Sequence, residues 1–382
     1  MISKLPSIGE TIFTTMNRIA AEAEAINLSQ GFPGFSPDPK LLELIAHFTQ
    51  NGNNQYAPMM GVPELRHAMV EKTAKCYGVN THPDKEWTIV SGATQAVFSA
   101  VTAVVKRGDE VIVLEPAFDS YDPAILLNGG IPVHVELSPE DFAPDWDLIR
   151  SRINSKTKLI IVNTPHNPSG YVWTKNDLDQ LAELVLEFGI YVVSDEVYEH
   201  IVFDGRKHHS LLTHPVLRSR TFVCGSFGKT FHITGWKIGY CIAVPELTIE
   251  FRKIHQYVTF TTVRPAQHAL AAYLEDPNPY LELPSFYQKK RDLFLEGLSQ
   301  TDFQFIPTQG SFFQQVSYAH LTDMSDMDLA KKVTRELKVA CIPVSSFYSD
   351  AKDHKILRFC FAKEDSELEE AAKRLQGLSA IL

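Results

Sequence analysis

An aspartate and a lysine stand at the ends of two apolar runs that are typical of buried strands. Asp195 closes YVVSDE (191–196), and Lys229 follows TFVCGS (221–226). Open parallel sheets place their ligand crevice at the carboxyl ends of the strands, so both side chains are expected to face one cleft. A desolvated lysine beside another cation, here Lys237, can lose its proton and attack an aldehyde, while a buried carboxylate can hold the proton of a pyridine ring. The pair predicts carbonyl chemistry on a pyridine-type cofactor.

Tyr198 strengthens this prediction because it lies three residues beyond Asp195, close enough on a tight turn to direct its hydroxyl at such a cofactor. Each residue alone has an ordinary explanation, since a strand-end aspartate often caps a turn and a tyrosine often only packs. The prediction therefore depends on their joint occurrence.

A strand-to-helix turn just before Ala93 predicts an anion site. The amides of Ala93 and Thr94, with the helix dipole behind them, suit a phosphate group. Gln95 or the Thr94 hydroxyl is expected to add a hydrogen bond, and a plain glycine turn is the alternative interpretation. Two further residues supply the cation and hydroxyl that a phosphate dianion favours, namely Lys237 and Ser226.

Residues 225–230, GSFGKT, match only part of the phosphate loop of nucleotide-binding proteins. That loop needs a glycine five positions before Gly228, where this chain has Val223, and it needs a helix afterwards. Here the glycine-broken FHITGWKIGYCI follows, so a phosphotransferase is not predicted.

The surrounding elements alternate between short apolar runs and helical patterns. The segment TKNDLDQLAELVLEFG predicts a crossover helix with Thr174 as N-cap, Asp177 in a capping box and Gly189 at its end. Such alternation predicts an α/β fold whose mostly parallel sheet lies between helices. The six apolar runs are TIVSG (88–92), EVIVLEP (110–116), LIIVN (159–163), YVVSDE (191–196), TFVCGS (221–226) and IGYCIAV (238–244).

Two domains are expected from a change of pattern along the chain. Residues 46–282 contain the α/β alternation and form the expected large domain. Residues 283–382 mix strand and helix patterns, which predicts a smaller α+β domain on which the proline-rich segment 1–45 packs.

Composition excludes several classes of partner. Lys and Arg number 36 against 46 Asp and Glu, for a formal net charge of −10, so the chain does not attract nucleic acid or anionic lipid. An apolar signal-peptide core and a run of about 18 apolar residues are both missing from the sequence. The five scattered cysteines indicate reduced thiols. A cytoplasmic protein without a membrane or nucleic-acid partner is expected.

Three histidines, 208, 209 and 214, cluster in a polar connection. Their spacing does not direct them at one point, as metal ligands require. We therefore expect a solvated loop here and no metal site.

Eight segments, in order and spread over nearly the whole chain, resemble the class I aminotransferases of pyridoxal-phosphate (PLP) fold type I. The segments GKTFHITGWK and IHQYVTF are most similar in sequence to the methionine and kynurenine aminotransferases. The resemblance implies a large domain with a seven-stranded sheet, a smaller α+β domain, a PLP cofactor and a homodimer. The eight segments are GFPGF (31–35), NQYAPMMGVPELR (54–66), SGATQ (91–95), EPAFDSY (115–121), NTPHNPSG (163–170), SDEVYEH (194–200), SFGKTFHITGWKIGY (226–240) and LRFCF (357–361).

The resemblance also implies roles around the cofactor. Lys229 would carry PLP as a Schiff base and later move a proton between substrate and cofactor. Asp195 would pair with the pyridine nitrogen, Tyr198 and Asn167 would bond the phenolate oxygen, and Phe118 would stack on the ring. The phosphate would contact Ala93, Thr94, Ser226 and Lys237, with Tyr56 reaching in from a second subunit.

On the substrate side, Arg358 would bind the α-carboxylate with two parallel hydrogen bonds, beside Asn167 and the Gly31 backbone. The chain departs from many class I members in having Lys237 where arginine commonly binds the phosphate. This substitution keeps the charge and loses the bidentate geometry.

The expected reaction is transfer of an amino group from an L-amino acid to a 2-oxo acid. Phe13, Tyr121 and Phe260 of a second subunit are expected to line an apolar pocket without a cation for a second carboxylate, which favours methionine-like, aromatic or kynurenine-like donors over aspartate. One alternative is a cysteine-conjugate β-lyase using the same site. Another is an amino-acid sensor in a transcription regulator, but the family pattern fills the chain from near residue 5 to its end and leaves no room for a DNA-binding domain.

Overall fold

The computed structural model describes residues 2–6 and 8–382. Its strands are β1 (Ile26–Asn27), β2 (Trp87–Val90), β3 (Glu110–Glu115), β4 (Ile131–Glu136), β5 (Thr157–Asn163), β6 (Tyr191–Asp195), β7 (Thr221–Ser226), β8 (Gly239–Ile242), β9 (Phe313–Ser317), β10 (Val339–Ala340), β11 (Ile342–Pro343) and β12 (Ile356–Cys360).

The helices surround these strands. They are α1 (Ile12–Glu22), α2 (Pro39–Gln50), α3 (Pro63–Tyr77), α4 (Gly92–Val104), α5 (Tyr121–Leu127), α6 (Trp146–Arg152), α7 (Lys175–Phe188), α8 (Pro215–Arg218), α9 (Phe227–Thr230), α10 (Pro245–Val258), α11 (Arg264–Tyr273), α12 (Asn278–Leu281), α13 (Leu283–Leu298), α14 (Asp326–Lys332), α15 (Asp365–Leu375) and α16 (Leu378–Ile381). None of them, within the described residues, is long and apolar enough to span a membrane.

The large sheet has the strand order β2-β8-β7-β6-β5-β3-β4. Neighbours from β7 through β4 are parallel, whereas β8 pairs antiparallel with both β2 and β7. Separate apolar clusters, one on each face, bury the sheet between helices. The predicted α/β fold with a mostly parallel seven-stranded sheet is confirmed.

The six apolar runs correspond to β2, β3, β5, β6, β7 and β8, and the seventh strand, β4, is not among them. β4 lies at the edge of the sheet, and Val135 is its one fully buried residue. An edge strand that is half exposed does not need a continuous apolar run, which is why the sequence pattern does not reveal it.

Helix α7 forms as predicted. Thr174 and Asp177 make both hydrogen bonds of the capping box, and Gly189 ends the helix with a φ of +66°. Leu178, Leu181 and other apolar side chains of one face are buried against the sheet. The crossover between β5 and β6 is therefore fixed locally at both of its ends.

A third apolar cluster forms around two smaller sheets, which are built mainly from the last hundred residues. The strands β11-β12-β9 form an antiparallel sheet, and β1 pairs with β10. The predicted boundary after residue 45 falls inside α2, and Leu41 and Phe48 of that helix pack in the cluster of the large sheet. The division into two domains stays a prediction.

His208 differs from its prediction as part of a solvated loop. The side chain is buried, and its Nε2 lies 2.8 Å from Glu196 Oε2. Glu196 also accepts hydrogen bonds from the Ser194 hydroxyl and the Leu211 amide. A buried carboxylate needs such donors, which explains why the connection turns inward.

Candidate active site

A cavity of about 260 Å³ lies at the carboxyl ends of β5, β6 and β7, where they meet β9 and β12. Parallel strands end together at this edge, as the sequence predicts for the ligand crevice. The polar and charged side chains that line it are Gln30, Thr94, Ser120, Asn163, Asn167, Asp195, Tyr198, Ser226, Lys229, Thr234, Lys237 and Arg358.

Asp195 is the buried carboxylate of the cavity. Its Oδ2 accepts a hydrogen bond of 2.8 Å from the Tyr121 hydroxyl, and its main-chain oxygen accepts one from the Asn163 amide. Burial raises the pKa of Asp195 to about 6, although the Tyr121 hydrogen bond acts in the opposite direction. A carboxylate in this state is suited to hold a positively charged partner inside the protein.

Lys229 lies in the same cavity, at the end of the short helix α9. Its Nζ donates a 2.6 Å hydrogen bond to the Gly31 carbonyl and lies 5.6 Å from the Tyr198 ring centroid. Burial lowers the pKa of Lys229 to about 8, and the positive charges of Arg358 and Lys237 act in the same direction. With this pKa about a tenth of the amine is uncharged at pH 7, far more than for an ordinary lysine, and the uncharged form is the nucleophile.

Arg358 is completely buried, which is costly for a charged group without partners. Nη1 donates to Asn167 Oδ1 at 2.8 Å and Nη2 donates to the Ser29 carbonyl at 3.0 Å. Nε has no hydrogen-bond partner among the described residues. Burial lowers the pKa of Arg358 to about 10. An incompletely paired guanidinium in a cavity fits a carboxylate ligand.

The ring of Phe313 packs against the guanidinium, since the Arg358 Cζ lies 3.9 Å from its centroid. The same ring explains why Gly31 is a glycine. A Cβ at residue 31 would lie 2.9 Å from Phe313 Cζ. The bare backbone of Gly31 can therefore lie beside both Lys229 and the arginine pocket.

The first turn of α4 forms part of the cavity wall. Gly92 has a φ of +78°, which other residues rarely adopt, and the backbone of β8 approaches it closely because a Cβ on Gly239 would lie 3.0 Å from the Gly92 carbonyl carbon. Unpaired amides of a helix start attract anions. The residues here that fit a phosphate are Ala93, Thr94, Ser226 and Lys237.

Four predicted residues lie elsewhere. Gln95 is not among the described cavity residues, because its side chain bonds Ser91, Ser99 and His255. Tyr121, predicted as a pocket wall, is buried with its hydroxyl on Asp195. Tyr56 is 81% exposed and contacts Phe260, with ring centroids 5.5 Å apart. The roles of Tyr56 and Phe260 in a second subunit stay predictions.

The remaining predicted site residues come together in this one cavity. They are Gly31, Ala93, Thr94, Phe118, Asn167, Asp195, Tyr198, Ser226, Lys229, Lys237 and Arg358, with Phe13 of the predicted pocket beside them.

Two supporting residues were not predicted from the sequence. Asn163 donates to the Asp195 main-chain oxygen, and its Oδ1 accepts from the Asn167 amide at 2.7 Å, so it joins two site residues. A signal for Asn163 exists, because it ends β5 in register with Asp195 at the end of β6. The Ser29 carbonyl accepts a hydrogen bond from Arg358. Any residue type has such a carbonyl, so the sequence does not reveal this contact.

A lysine with a lowered pKa, a buried aspartate and a buried arginine at the carboxyl edge of an α/β sheet are typical of enzymes that react with carbonyl groups and bind carboxylates. Comparison with known proteins narrows this class. The family model described as aminotransferase class I and II matches residues 23–375.

Methionine aminotransferase from Escherichia coli K12 is 46% identical over 377 residues, covering 98% of each chain. Kynurenine–oxoglutarate transaminase from Dictyostelium discoideum is 36% identical, covering 97% of this chain and 95% of its own. A crystal structure from E. coli, described as having a methionine aminotransferase function, superposes with a TM-score of 0.96 at 46% identity, over 98% of this chain and 99% of that one. The chain belongs to the class I and II aminotransferase family and is an aminotransferase of fold type I.

Proposed function

We propose that this aminotransferase binds PLP and moves the amino group of an apolar, sulfur-containing or aromatic L-amino acid, methionine foremost, to a 2-oxo acid. The names of the two relatives, a methionine aminotransferase and a kynurenine–oxoglutarate transaminase, support this range. The observation that carries the proposal is that the cavity contains three cations, Lys229, Lys237 and Arg358. Each is assigned below to the cofactor, to proton transfer or to the substrate α-carboxylate.

The cavity suits PLP in charge and in shape. The phosphate would lie on the first turn of α4 with Ser226 and Lys237, and Asp195 would hold the pyridine nitrogen. Phe118 would lie against the ring, and Tyr198 and Asn167 would donate to the phenolate oxygen. When bound, the cofactor supplies an electron-withdrawing ring that stabilises negative charge on the substrate α-carbon.

Lys229 performs two tasks at one atom. Its Nζ, with a pKa lowered to about 8 by burial, is available as a free amine to attack a carbonyl carbon. The same Nζ would also serve as the base that takes the substrate α-proton and later returns it. The Gly31 carbonyl 2.6 Å away keeps the amine directed into the cavity.

Arg358 orients the substrate. Its Nε lacks a partner among the described residues, and Nη1 and Nη2 are directed at Asn167 and Ser29. A substrate α-carboxylate bound at this guanidinium satisfies the buried donors and fixes the α-carbon relative to Lys229.

The part of the cavity that would receive the substrate side chain is apolar. Phe13, Phe32 and Phe313 line it, and its cations within the described residues are Lys229, Lys237 and Arg358. Lys229 would transfer the proton, Lys237 would bind the phosphate and Arg358 would bind the α-carboxylate. No cation among these three is then left to pair with a second carboxylate. Burying that carboxylate unpaired would cost several kcal/mol, about 3 or more.

A homodimer completes the proposal. Tyr56 and Tyr257 expose 81% and 86% of their surface, and Phe260 is also exposed. Exposed aromatic residues of this kind mark interaction surfaces. Tyr56 is proposed to bond the phosphate in the neighbouring subunit's site. The cytoplasmic location stays a prediction.

A donor panel tests the proposed specificity. Each L-amino acid is mixed with the PLP-loaded enzyme, and conversion of the bound cofactor is followed by absorbance. Methionine and phenylalanine are expected to convert it with kcat/KM at least about 100-fold above aspartate, the factor that corresponds to roughly 3 kcal/mol. Equal rates for aspartate would contradict the apolar pocket. Pyruvate released from a cysteine conjugate without an amino acceptor would indicate the β-lyase reaction instead.

A further inference from the structure

The backbone entering the first turn of α4 is held from behind by the side chain of Gln95. Oε1 accepts a hydrogen bond of 3.0 Å from the Ser91 amide. Nε2 lies 2.7 Å from the Ser99 hydroxyl and 3.2 Å from His255 Nδ1. Both amide hydrogens and the carbonyl oxygen are therefore used, which allows the Gln95 amide one orientation.

His255 determines that orientation. It is fully buried, and its Nε2 lies 3.0 Å from the Met59 carbonyl. A carbonyl only accepts hydrogen bonds, so Nε2 carries the hydrogen, and Nδ1 is left to accept from Gln95. Burial lowers the pKa of His255 and favours this neutral form.

The connection extends beyond α4 because Met59 lies three residues after Tyr56. The main-chain oxygen of His255 also accepts hydrogen bonds from the amides of Thr259 and Phe260. His255 thus joins the start of α4 to the Tyr56 segment through its imidazole, and its main-chain oxygen holds the segment that carries Phe260.

We propose that Gln95 and His255 are positioning residues that fix the Ser91 backbone and so direct the amides of Ala93 and Thr94 at the cofactor phosphate. Neither side chain is among the described residues of the cavity, so they act through Ser91 and not by contact with the phosphate. This inference rests on the proposed function, because it assigns the phosphate to the first turn of α4. This positioning role replaces the direct hydrogen bond to the phosphate that the sequence predicts for Gln95.

The chain offers variants that separate positioning from packing. His255→Leu keeps roughly the volume of the side chain and removes the acceptor for Gln95. His255→Gln restores an acceptor toward Gln95 and a donor toward Met59. Gln95→Leu removes the connection from its other end. Thr248→Val is the control, since Thr248 is a buried residue of the same helix α10 whose hydroxyl bonds only the Ala243 carbonyl among the described residues.

The measurement is the PLP dissociation constant of each purified protein, followed by absorbance. We expect His255→Leu and Gln95→Leu to raise it about tenfold, as the loss of an oriented hydrogen bond does. His255→Gln is expected to recover most of the affinity, and Thr248→Val to match the wild type. The loss should be in PLP affinity rather than in kcat of the PLP-saturated enzyme.

Several results would overturn the inference. His255→Leu and Gln95→Leu proteins that bind PLP as tightly as the wild type would do so, and so would a His255→Gln protein as weak as His255→Leu. If His255→Leu does not fold, Gln95→Leu alone decides between the outcomes. A wild type that takes up no PLP would instead overturn the proposed function itself, and the positioning role with it.

Discussion

At the scale of single residues, the pKa values of the site are set by two opposed effects. Burial raises the pKa of Asp195 to about 6 and lowers that of Lys229 to about 8, so each charged form is disfavoured. The Tyr121 hydrogen bond counteracts burial at Asp195, because a donor stabilises the carboxylate. Tyr121 thereby favours the ionised form of Asp195.

Tyr121→Phe is expected to raise the pKa of Asp195 further, because it removes the donor and leaves the burial. The acid limb of the kcat/KM profile should therefore move to higher pH, and kcat/KM at pH 7 should fall about tenfold, roughly 1.4 kcal/mol. Tyr318→Phe is the matched control, since the buried Tyr318 hydroxyl bonds the Met324 carbonyl away from the site. An acid limb that stays in place would show that Tyr121 does not support Asp195.

At the scale of elements, a buried ionic network fixes the turn after β6. Glu199 follows Tyr198 in this turn and bonds Lys72 at 2.7 Å, together with the hydroxyls of Tyr77 and Tyr240. Burial alone would raise the pKa of Glu199, but Lys72 and the hydrogen bonds hold it below its usual range. The network joins α3 and β8 to the turn that presents Tyr198.

Lys72→Met is expected to lower the free energy of unfolding by about 3–5 kcal/mol, because it leaves a buried carboxylate without its cation. In the wild type, the pKa of Glu199 is depressed, so its contribution is present above the ordinary carboxyl pKa and is lost as the pH falls. In the variant burial dominates, the pKa rises, and protonation relieves the unpaired charge. Urea unfolding at several pH values should show the deficit shrinking toward acid pH.

The double variant Lys72→Met, Glu199→Gln is the control for this prediction. It removes both charges and should recover a large part of the lost stability. A single variant as stable as the wild type at neutral pH would contradict the assigned role of the pair.

Sequence patterns predicted the elements whose signals are local. The capping box of α7 and the six buried strands depend on residues near each other in the chain, and they form as expected. The edge strand β4 lacked a signal because half of it faces solvent. The orientation of Gln95 depends on His255, 160 residues away, and long-range pairing of this kind leaves no local pattern.

Most of the site was predictable for a related reason. Asn163, Asp195 and Ser226 each end a parallel strand, so the topology brings them to one edge. The role of Tyr121 was not predictable, and neither was the burial of His208 outside the site, because each bonds a buried carboxylate that becomes a neighbour only after folding. Residue type alone does not distinguish a pocket wall from a hydrogen-bond partner.

At the scale of the whole molecule, the proposed dimer makes the two active sites depend on each other. Tyr56 is 81% exposed and lies outside its own cavity, so its proposed contact with a phosphate requires a second copy of the chain. Lys229, in contrast, belongs to the subunit whose cavity it lines. Each complete site would then combine residues of two chains.

Mixing two impaired variants tests this arrangement. Lys229→Ala and Tyr56→Ala proteins are unfolded together, refolded and assayed against each pure variant. A mixed dimer has one site with both changes and one with neither, so activity is expected to exceed the average of the two pure proteins several-fold. Activity equal to that average would contradict a shared site.

Lys229 is proposed to bind the cofactor, with Asp195 behind the ring. The most direct measurement is borohydride reduction of the PLP-loaded protein, followed by proteolysis and mass spectrometry of the labelled peptide. We predict a single phosphopyridoxyl group on Lys229, and none in the Lys229→Ala protein. A label on another lysine, or no label on a PLP-saturated wild type, would show that Lys229 does not bind the cofactor.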